Sequence, residues 1–258
     1  MSIHTALVSG STQGIGKASA IALASAGMNV VLLARDEARL KSVLNELPNN
    51  GNQSHQYLLA DFSDPSVLKE VITNFISTGN QIDVLINNTG GPAGGTILAA
   101  KTNEFIDAFN QHLICNHILV QALVPGMKQK CFGRIINIIS TSVKQPLPNL
   151  GVSNTIRGAV ANWSKTLATE LAPFGITVNN VLPGATNTGR LQSIAGTKAA
   201  KTGGTVEEVF AEMANETPIN RIAEPEEIAA AVVFLASESA SYINGINLPV
   251  DGGRTKSL

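Results

Sequence analysis

A glycine-rich turn near the start of the chain has the spacing of a phosphate-binding loop. The segment Ser9–Gly16 reads Ser-Gly-Ser-Thr-Gln-Gly-Ile-Gly and follows the apolar run Ala6–Val8. Gly10 permits a tight turn after a strand, while Gly14 and Gly16 let the backbone approach a pyrophosphate. A helix that begins here directs free N–H groups at the phosphates. We therefore predict a phosphate-binding loop; the alternative is a simple tight turn between strand and helix. The loop residues predicted to bind a dinucleotide are Gly10, Ser11, Gln13, Gly14, Ile15 and Gly16.

The end of the next predicted strand favours NADP(H) over NAD(H). The sequence there is Leu33-Ala34-Arg35, where dinucleotide folds that choose NAD usually carry an acid for the ribose hydroxyls. A guanidinium pairs well with a 2′-phosphate, so Arg35 is predicted to select NADP(H). The alternative is an ordinary solvated arginine at a helix start. Asp36 is predicted to cap the following helix and not to bind ribose.

Short apolar runs alternate with longer helical segments and predict the elements that position this loop. The predicted strands are Ala6–Val8, Asn29–Leu33, Gln56–Leu59, Val84–Ile86, Arg134–Ile139, Thr177–Leu182 and Ile246–Val250. The predicted helices are Gly14–Ala26, Asp36–Leu47, Pro65–Ser77, Asn103–Lys128, Ser153–Leu171 and Glu224–Ala236. Near-continuous apolar strands between helices indicate a parallel sheet covered on both faces. We therefore expect an α/β fold with a doubly wound, Rossmann-like parallel sheet, in a single domain over residues 1–258.

The stretch Asn187–Asn220 departs from this alternation. It is rich in Thr, Gly, Ala and Lys, with one short helical segment near Val206–Met213. Long insertions in compact domains are usually lids or disordered segments. We expect residues 187–220 to form a mobile loop over the site.

The composition narrows the classes of partner. The chain has 258 residues, of which 44% are apolar and 14% charged, and a formal net charge of −1. This mix is typical of a globular protein with a large buried sheet. No overall basic field would hold nucleic acid or an anionic membrane, no apolar run is long enough to cross a bilayer, and no metal motif occurs. We expect a cytoplasmic protein with none of these partners.

The order and spacing of the motifs resemble the short-chain dehydrogenase/reductase family over nearly the whole length, most of all its 3-oxoacyl-carrier-protein reductases. The matching segments are Ser9–Gly16, Asp61-Phe62, Asn87–Gly90, Ile136–Ser140, Pro183–Thr188 and Val250–Gly253. The resemblance implies a site for adenine, a brace for the sheet beside the cofactor, and a segment facing the nicotinamide carboxamide. It assigns these positions to Asp61, Phe62, Asn88, Gly90, Pro183, Gly184 and Thr188. It also implies a homo-oligomer, a tetramer or dimer, formed through the long helices and the last strand.

The catalytic positions of this family carry different residues here. The resemblance implies a tyrosine that donates a proton, a lysine that binds the nicotinamide ribose, a serine that positions the carbonyl, and an asparagine that holds a water. In register, these positions fall on Ser153, Arg157, Ser140 and His112 respectively. Only the serine is retained. The chain's two tyrosines, Tyr57 and Tyr242, lie in segments that should not reach the site.

Each replacement leaves alternatives open. Ser153 is too short and too weakly acidic to replace a phenol directly. Arg157 lies one helical turn from Ser153. Its guanidinium can bind the ribose with no catalytic role, or it can bind a carboxylate or phosphate of the substrate. His112 can donate a proton near neutrality, or it can be a hydrogen-bonded packing residue.

Three functions follow from these residues. The favoured one is an NADP(H)-dependent oxidoreductase acting on a small-molecule carbonyl/alcohol pair, similar to a 3-oxoacyl reductase, because the cofactor loop is complete. The second is a cofactor-binding protein with little or no catalysis, because three catalytic positions are altered. A weaker third is elimination or isomerisation on the same scaffold.

Overall fold

A seven-stranded parallel sheet forms the centre of the protein in the computed structural model, which describes residues 3–257. The strands are β1 (Thr5–Ser9), β2 (Asn29–Ala34), β3 (Gln56–Leu59), β4 (Val84–Asn87), β5 (Gly133–Ile138), β6 (Ile176–Pro183) and β7 (Asn247–Val250). The strand order is β3-β2-β1-β4-β5-β6-β7, so the direction of winding reverses between β1 and β4. Open α/β sheets bind ligands at this reversal, beyond the carboxyl ends of the strands. The predicted doubly wound parallel sheet is confirmed.

Helices cover both faces of this sheet. They are α1 (Gly14–Ser25), α2 (Glu37–Glu46), α3 (Pro65–Ser77), α4 (Thr102–Phe109), α5 (Cys115–Lys130), α6 (Gly151–Leu171), α7 (Gly189–Thr202), α8 (Val206–Asn215) and α9 (Pro225–Ala236). Buried aliphatic side chains of α1, α2 and α9 pack on one face, and those of α3, α5 and α6 on the other. Within residues 3–257, none of the helices is both long and apolar enough to cross a membrane.

The predicted helix Asn103–Lys128 is interrupted. Helix α4 ends at Phe109, a π-helical turn covers Asn110–Ile114, and α5 begins at Cys115. The prediction of one uninterrupted α-helix is wrong, because the apolar pattern does not distinguish a wider i→i+5 turn from the i→i+4 turns around it. Such turns are frequent at functional sites, and His112 lies at the centre of this one.

The stretch Asn187–Asn220 is helical over most of its length. Helices α7 and α8 are joined through Gly203, whose φ of +74° ends α7 in the left-handed region. Their contact is made by small side chains, with Ala195 and Ala199 buried against Val209. The prediction of a loop is therefore wrong as to secondary structure, the short helix near Val206–Met213 is confirmed, and the mobility of the segment stays a prediction. An alanine-built contact surface gives too weak an apolar pattern for α7 to be predicted.

Four asparagines form a ladder across the neighbouring strands β4 to β7. Asn137 Nδ2 donates to Asn180 Oδ1 at 3.0 Å and its Oδ1 accepts from Asn87 Nδ2 at 2.8 Å. Asn180 Nδ2 donates to Asn247 Oδ1 at 2.8 Å, and Asn137 also donates to Ser164 Oγ of α6 at 2.9 Å. This asparagine ladder ties the sheet to α6, the helix that carries Ser153 and Arg157.

Candidate active site

The glycine loop has a geometry that only glycine fits. Gly10 has a φ of +58°, and a Cβ there would lie 2.7 Å from the backbone oxygen of Asn88. A Cβ at Gly16 would lie 2.1 Å from the backbone oxygen of Gly10. These contacts are impossible for a real side chain, so β1, α1 and the end of β4 approach each other as closely as the sequence predicts.

The N-terminus of α1 is open at this loop. Gln13 precedes α1 without a side-chain cap, and the first turn of α1 holds no acid. Its first N–H groups are therefore free for an anionic ligand, and the helix dipole favours one. A Cβ at Gly14 would lie 3.0 Å from Thr188 Cγ2, so the residue that caps α7 touches the loop. Ile15 packs against the core beneath. This cradle fits a dinucleotide pyrophosphate.

Two polar residues of the predicted set brace the loop from behind. Ser11 Oγ accepts the N–H of Leu33 at 3.1 Å and is buried, so its hydroxyl joins β1 to β2. Asn88 donates from its side chain to the backbone oxygens of Ser9 and Gly10, each at 3.2 Å. Because the Ser11 side chain is already hydrogen-bonded to Leu33, only the backbone of Ser11 is left to bind the cofactor as predicted.

Two arginines flank the loop where a 2′-phosphate would lie. Arg35 is 75% exposed, and its Nη1 lies 3.6 Å from Asp61 Oδ2. Arg39, in the first turn of α2, donates from Nη1 to Gln13 Oε1 at 3.2 Å. Asp36 caps α2 by accepting the Arg39 N–H at 3.0 Å, as predicted. Arg39 was not among the predicted cofactor residues, although its place three residues after a helix cap was a usable signal.

The predicted adenine residues lie after β3. The backbone N–H of Ser63 donates to Asp61 Oδ1 at 2.9 Å and lowers the Asp61 pKa. Phe62 packs its ring against the core, and its backbone oxygen accepts from Cys115 Sγ at 3.4 Å. Asp61 is therefore ionised beside Arg35. Phe62 packs against the core, and a contact with adenine would be a second role for this side chain.

The segment after β6 rests on the last turn of the chain. The N–H of Gly184, which follows Pro183, donates to the backbone oxygen of Val250 at 2.9 Å. A Cβ at Gly184 would lie 2.8 Å from Asp251 Cα. We call Asp251–Gly253 the C-terminal turn. It fixes the path of residues 183–188 from β6 to α7.

The predicted catalytic residues surround the carboxyl end of β5. Ser140 follows β5, and its Oγ accepts the N–H of Ser142 at 3.1 Å. Helix α6 packs on this turn and on the π-helical turn that holds His112. From α6, Arg157 donates from Nη1 to the backbone oxygen of Ile138 at 3.0 Å. Ser153, one turn earlier, is half-buried and has no hydrogen-bond partner for its Oγ within residues 3–257.

Arg157 is a buried cation without an anion. It is 8% exposed, and no carboxylate within the described part of the chain forms an ion pair with it. Burial, and to a smaller degree Arg190, lowers the Arg157 pKa to about 10. Arg157 is therefore still protonated near neutral pH, and an unpaired buried charge of this kind is costly.

His112 is a buried neutral ring. It is 1% exposed, and neither ring nitrogen has a hydrogen-bond partner among residues 3–257. Burial first, and then the charge of Arg157, lowers the His112 pKa well below 6.5, while the nearby backbone of Gly90 opposes the shift without a bond of acceptable geometry. This lowered pKa disfavours the alternative in which His112 donates a proton near neutrality, because burial and the charge of Arg157 both oppose the protonated ring. Near neutral pH the ring can accept a hydrogen bond or orient a water.

Arg190 approaches the same region from the start of α7. Its Nη2 donates to the backbone oxygen of Pro92, and a Cβ at Gly91 would lie 3.5 Å from that nitrogen. Arg190 also contributes to lowering the pKa of both His112 and Arg157, so the three groups are electrostatic neighbours. Arg190 was not among the predicted site residues, although it lies two residues after Thr188.

Neither tyrosine reaches this region, as predicted. Tyr57 donates from its hydroxyl to Glu37 Oε1 of α2 at 2.9 Å, and Tyr242 is fully exposed. No phenol of the described chain stands where the family tyrosine would.

The matches to known proteins cover the whole site. A family model described as enoyl-(acyl carrier protein) reductase matches residues 10–255. The NADPH-dependent reductase BacG of Bacillus subtilis is 34% identical over 259 residues, which cover all of both chains. The chain belongs to the short-chain dehydrogenase/reductase family. This confirms the family assignment made from the motifs.

Two further members of the short-chain dehydrogenase/reductase family resemble this chain over nearly their full length. The 3-oxoacyl-[acyl-carrier-protein] reductase FabG of Salmonella typhimurium is 34% identical, with 96% of each chain covered. The solved structure of L-sorbose reductase from Gluconobacter frateurii, in complex with NADPH and L-sorbose, has a TM-score of 0.92 and 33% identity, and the match covers 100% of this chain and 98% of that one.

Proposed function

We propose that this member of the short-chain dehydrogenase/reductase family reduces the carbonyl group of a small molecule to an alcohol, with NADPH as the hydride donor. The chain is an NADP(H)-dependent oxidoreductase similar to the 3-oxoacyl reductases, as its sequence predicts. The observation that carries the proposal is the intact cradle at the open N-terminus of α1. When bound, NADPH supplies the hydride, and the protein supplies orientation and electrostatics.

The proposed cofactor contacts divide by position. The glycine loop Gly10–Gly16 and Thr188 hold the pyrophosphate, and Arg35 with Arg39 holds the 2′-phosphate. Asp61 and Phe62 flank the adenine, and Asn88 and Gly90 stay behind the loop as braces. Pro183 and Gly184 line the nicotinamide end.

The proposed carbonyl site lies at the end of β5. Ser140 already accepts a hydrogen bond from Ser142, and its own O–H is then directed to the carbonyl oxygen. Arg157 contributes a fixed positive charge where negative charge develops on that oxygen. His112 and Ser153 hold a water that relays a proton from bulk solvent to the carbonyl oxygen, because a neutral imidazole and a serine hydroxyl bind water but do not themselves replace a phenol.

A second function has its own support. The altered positions Ser153, Arg157 and His112 and the absence of a phenol favour a cofactor-binding protein with little or no catalysis. Such a protein would bind NADPH with no turnover of any carbonyl compound.

The test combines binding with turnover. We expect purified protein to bind NADPH more tightly than NADH, and to oxidise NADPH with a member of a panel of 3-oxoacyl thioesters, oxo acids, small ketones and ketoses. Arg39→Gln should weaken NADPH binding about tenfold and leave NADH binding unchanged, because it removes one charge-assisted contact to the 2′-phosphate. Ser140→Ala should lower kcat at least about tenfold with NADPH binding retained.

Two outcomes would count against the proposal. Equal binding of NADPH and NADH would contradict the 2′-phosphate site. Tight NADPH binding with no turnover over the whole panel would favour the non-catalytic function. Lys41→Gln serves as the matched control, because Lys41 is an exposed cation on α2 paired with Glu37.

Cytoplasmic location and assembly into a dimer or tetramer stay predictions that rest on the sequence and the family. The interface would form through α9 and β7. Phe234 of α9 is 45% exposed and would lie in such an interface.

A further inference from the structure

The carbonyl site holds two cations and no anion. Arg157 comes from α6 below the site, and Arg190 comes from α7 above the loop that follows β4. Neither forms an ion pair with an Asp or Glu within residues 3–257. Arg190 is exposed, whereas Arg157 is buried. A buried charge in a protein is nearly always paired, so Arg157 calls for an anion that residues 3–257 do not supply.

The fork of Arg157 is only partly used. Its Nη1 donates to the backbone oxygen of Ile138, and no other hydrogen bond of its guanidinium is formed within the described chain. The remaining N–H groups suit a planar carboxylate, which binds guanidinium in a bidentate manner. Ile138 precedes Ser140 by two residues, so an anion on this fork lies close to the proposed carbonyl site.

His112 adds a second, independent sign of an absent ligand. The ring is buried to 1% exposure, and both of its nitrogens are unpartnered within the described chain. A buried polar group without a partner is rare in folded proteins. His112 lies in the π-helical turn that packs on α6, the helix that carries Arg157, and the charges of Arg157 and Arg190 both act on its ring.

We propose that the substrate of this reductase is an oxo acid, with a carboxylate that Arg157 and Arg190 hold a few bonds from the carbonyl carbon. The inference rests on the proposed reductase function. Arg157 binds the carboxylate through the unused part of its fork, and Arg190 closes over it from α7. The single negative charge of the carboxylate leaves one net positive charge in the site, and the carbonyl oxygen meets Ser140.

The cofactor is the competing source of negative charge. Arg190 stands two residues after Thr188, which touches the glycine loop, so its charge would also suit the pyrophosphate. The two ligands are distinguishable, because a pyrophosphate contact affects the dissociation constant of NADPH while a carboxylate contact affects only the substrate.

The experiment compares acids with their neutral esters. NADPH oxidation is measured with phenylpyruvate, acetoacetate and levulinate and with the methyl ester of each, which places the carboxylate at three distances from the carbonyl. We expect kcat/KM for the best acid to exceed that for its ester at least about thirtyfold. Arg190→Gln should raise KM for that acid by a similar factor and leave kcat/KM for the ester and the NADPH dissociation constant unchanged.

Variants of Arg157 separate charge from shape. Arg157→Lys keeps the charge and loses the fork, so it should raise KM for the acid more than it lowers kcat. Lys41→Gln is the control for loss of a positive charge far from the site. Equal rates for acid and ester in the unmodified protein would overturn the proposal. So would an Arg190→Gln variant that loses NADPH affinity and acid affinity to the same degree.

A binding measurement covers failure of the reductase function itself. If no carbonyl compound is turned over, the proposed function fails, and calorimetric titration with phenyllactate and its amide in the presence of NADP⁺ still tests the anion site. Saturable binding of the acid alone, abolished by Arg190→Gln, supports the site. Equal binding of acid and amide, or no binding of either, overturns it.

Discussion

Burial lowers the pKa of both His112 and Arg157, but the two side chains end in different charge states. Burial and the neighbouring guanidinium keep His112 neutral, whereas Arg157 keeps its charge although its pKa falls to about 10. An arginine starts from so high a pKa that burial does not neutralise it, and a histidine starts close enough to neutrality that it does. The site therefore has a positive charge that is constant across the physiological pH range.

The stability of the protein should fall in mild acid because of His112. The folded-state pKa of His112 is lowered, so its contribution to stability is fully present above the unfolded-state pKa of about 6.5 and is lost as the pH falls towards the folded-state pKa. Within this window the free energy of unfolding should decrease by about 1.4 kcal/mol per pH unit from this residue alone.

Urea unfolding at pH 7.5, 6.5 and 5.5 measures this effect. His112→Asn and His112→Gln, which cannot titrate, should both show a shallower decrease than the unmodified protein. An unchanged slope in both variants would mean that another group causes the acid lability.

Among the elements, β5 and α6 depend on each other through the asparagine ladder. Asn137 makes three side-chain hydrogen bonds in a fully buried position, at 2.8, 2.9 and 3.0 Å. Its loss leaves the amide of Asn87 and the carbonyl of Asn180 without their partner inside the core.

We expect Asn137→Ala to lower the free energy of unfolding by about 3 kcal/mol, since at least two buried polar groups become unsatisfied. Chemical denaturation at neutral pH measures the difference. Asn74→Ala, on the exposed side of α3, is the control and should change stability by less than about 0.5 kcal/mol. A loss at Asn137 no larger than at Asn74 would show that water replaces the missing amide.

The sequence predicted most strands and helices correctly but missed the π-helical turn between α4 and α5 and the helix α7. Strands such as Val84–Ile86 are buried on both faces, so they are continuous apolar runs bounded by polar residues and are easy to predict. The π-helical turn at Asn110–Ile114 and helix α7 were missed because both depend on tertiary contacts that leave little trace in local hydrophobicity. The same holds for the site. Arg35 was predicted from its strand end, whereas Arg39 and Arg190 had weaker sequence signals, and the packing of α2 and α7 against the loop shows their place.

Across the whole molecule, the pair α7–α8 stands over the cofactor crevice and is tied to it at few points. Thr188 touches Gly14, and Arg190 donates to Pro92. A bound dinucleotide would contact both sides of this junction, which supports the prediction, still untested, that residues 187–220 act as a mobile lid.

Limited trypsin digestion should report this coupling. Cleavage after Arg190, Lys198 and Lys201 should slow several-fold when NADPH is saturating, because binding favours the closed arrangement. Cleavage after Lys69, on the exposed side of α3 and away from the crevice, should keep its rate. If all four positions are protected equally, NADPH stabilises the whole fold and not this segment.

The C-terminal turn has a consequence for the order in which this protein matures. Gly184, which lies just before residues 187–220, donates to Val250 and packs closely on Asp251, and the N–H of Ile219 donates to the backbone oxygen of Gly252 at 3.3 Å. The ribosome delivers these residues after every other part of the crevice. The glycine loop, β5 and α6 can therefore assemble during translation, but the nicotinamide end of the crevice acquires its floor only when residues 250–253 have emerged. A nascent chain should gain affinity for the adenine half of the cofactor before it gains the capacity to position a hydride.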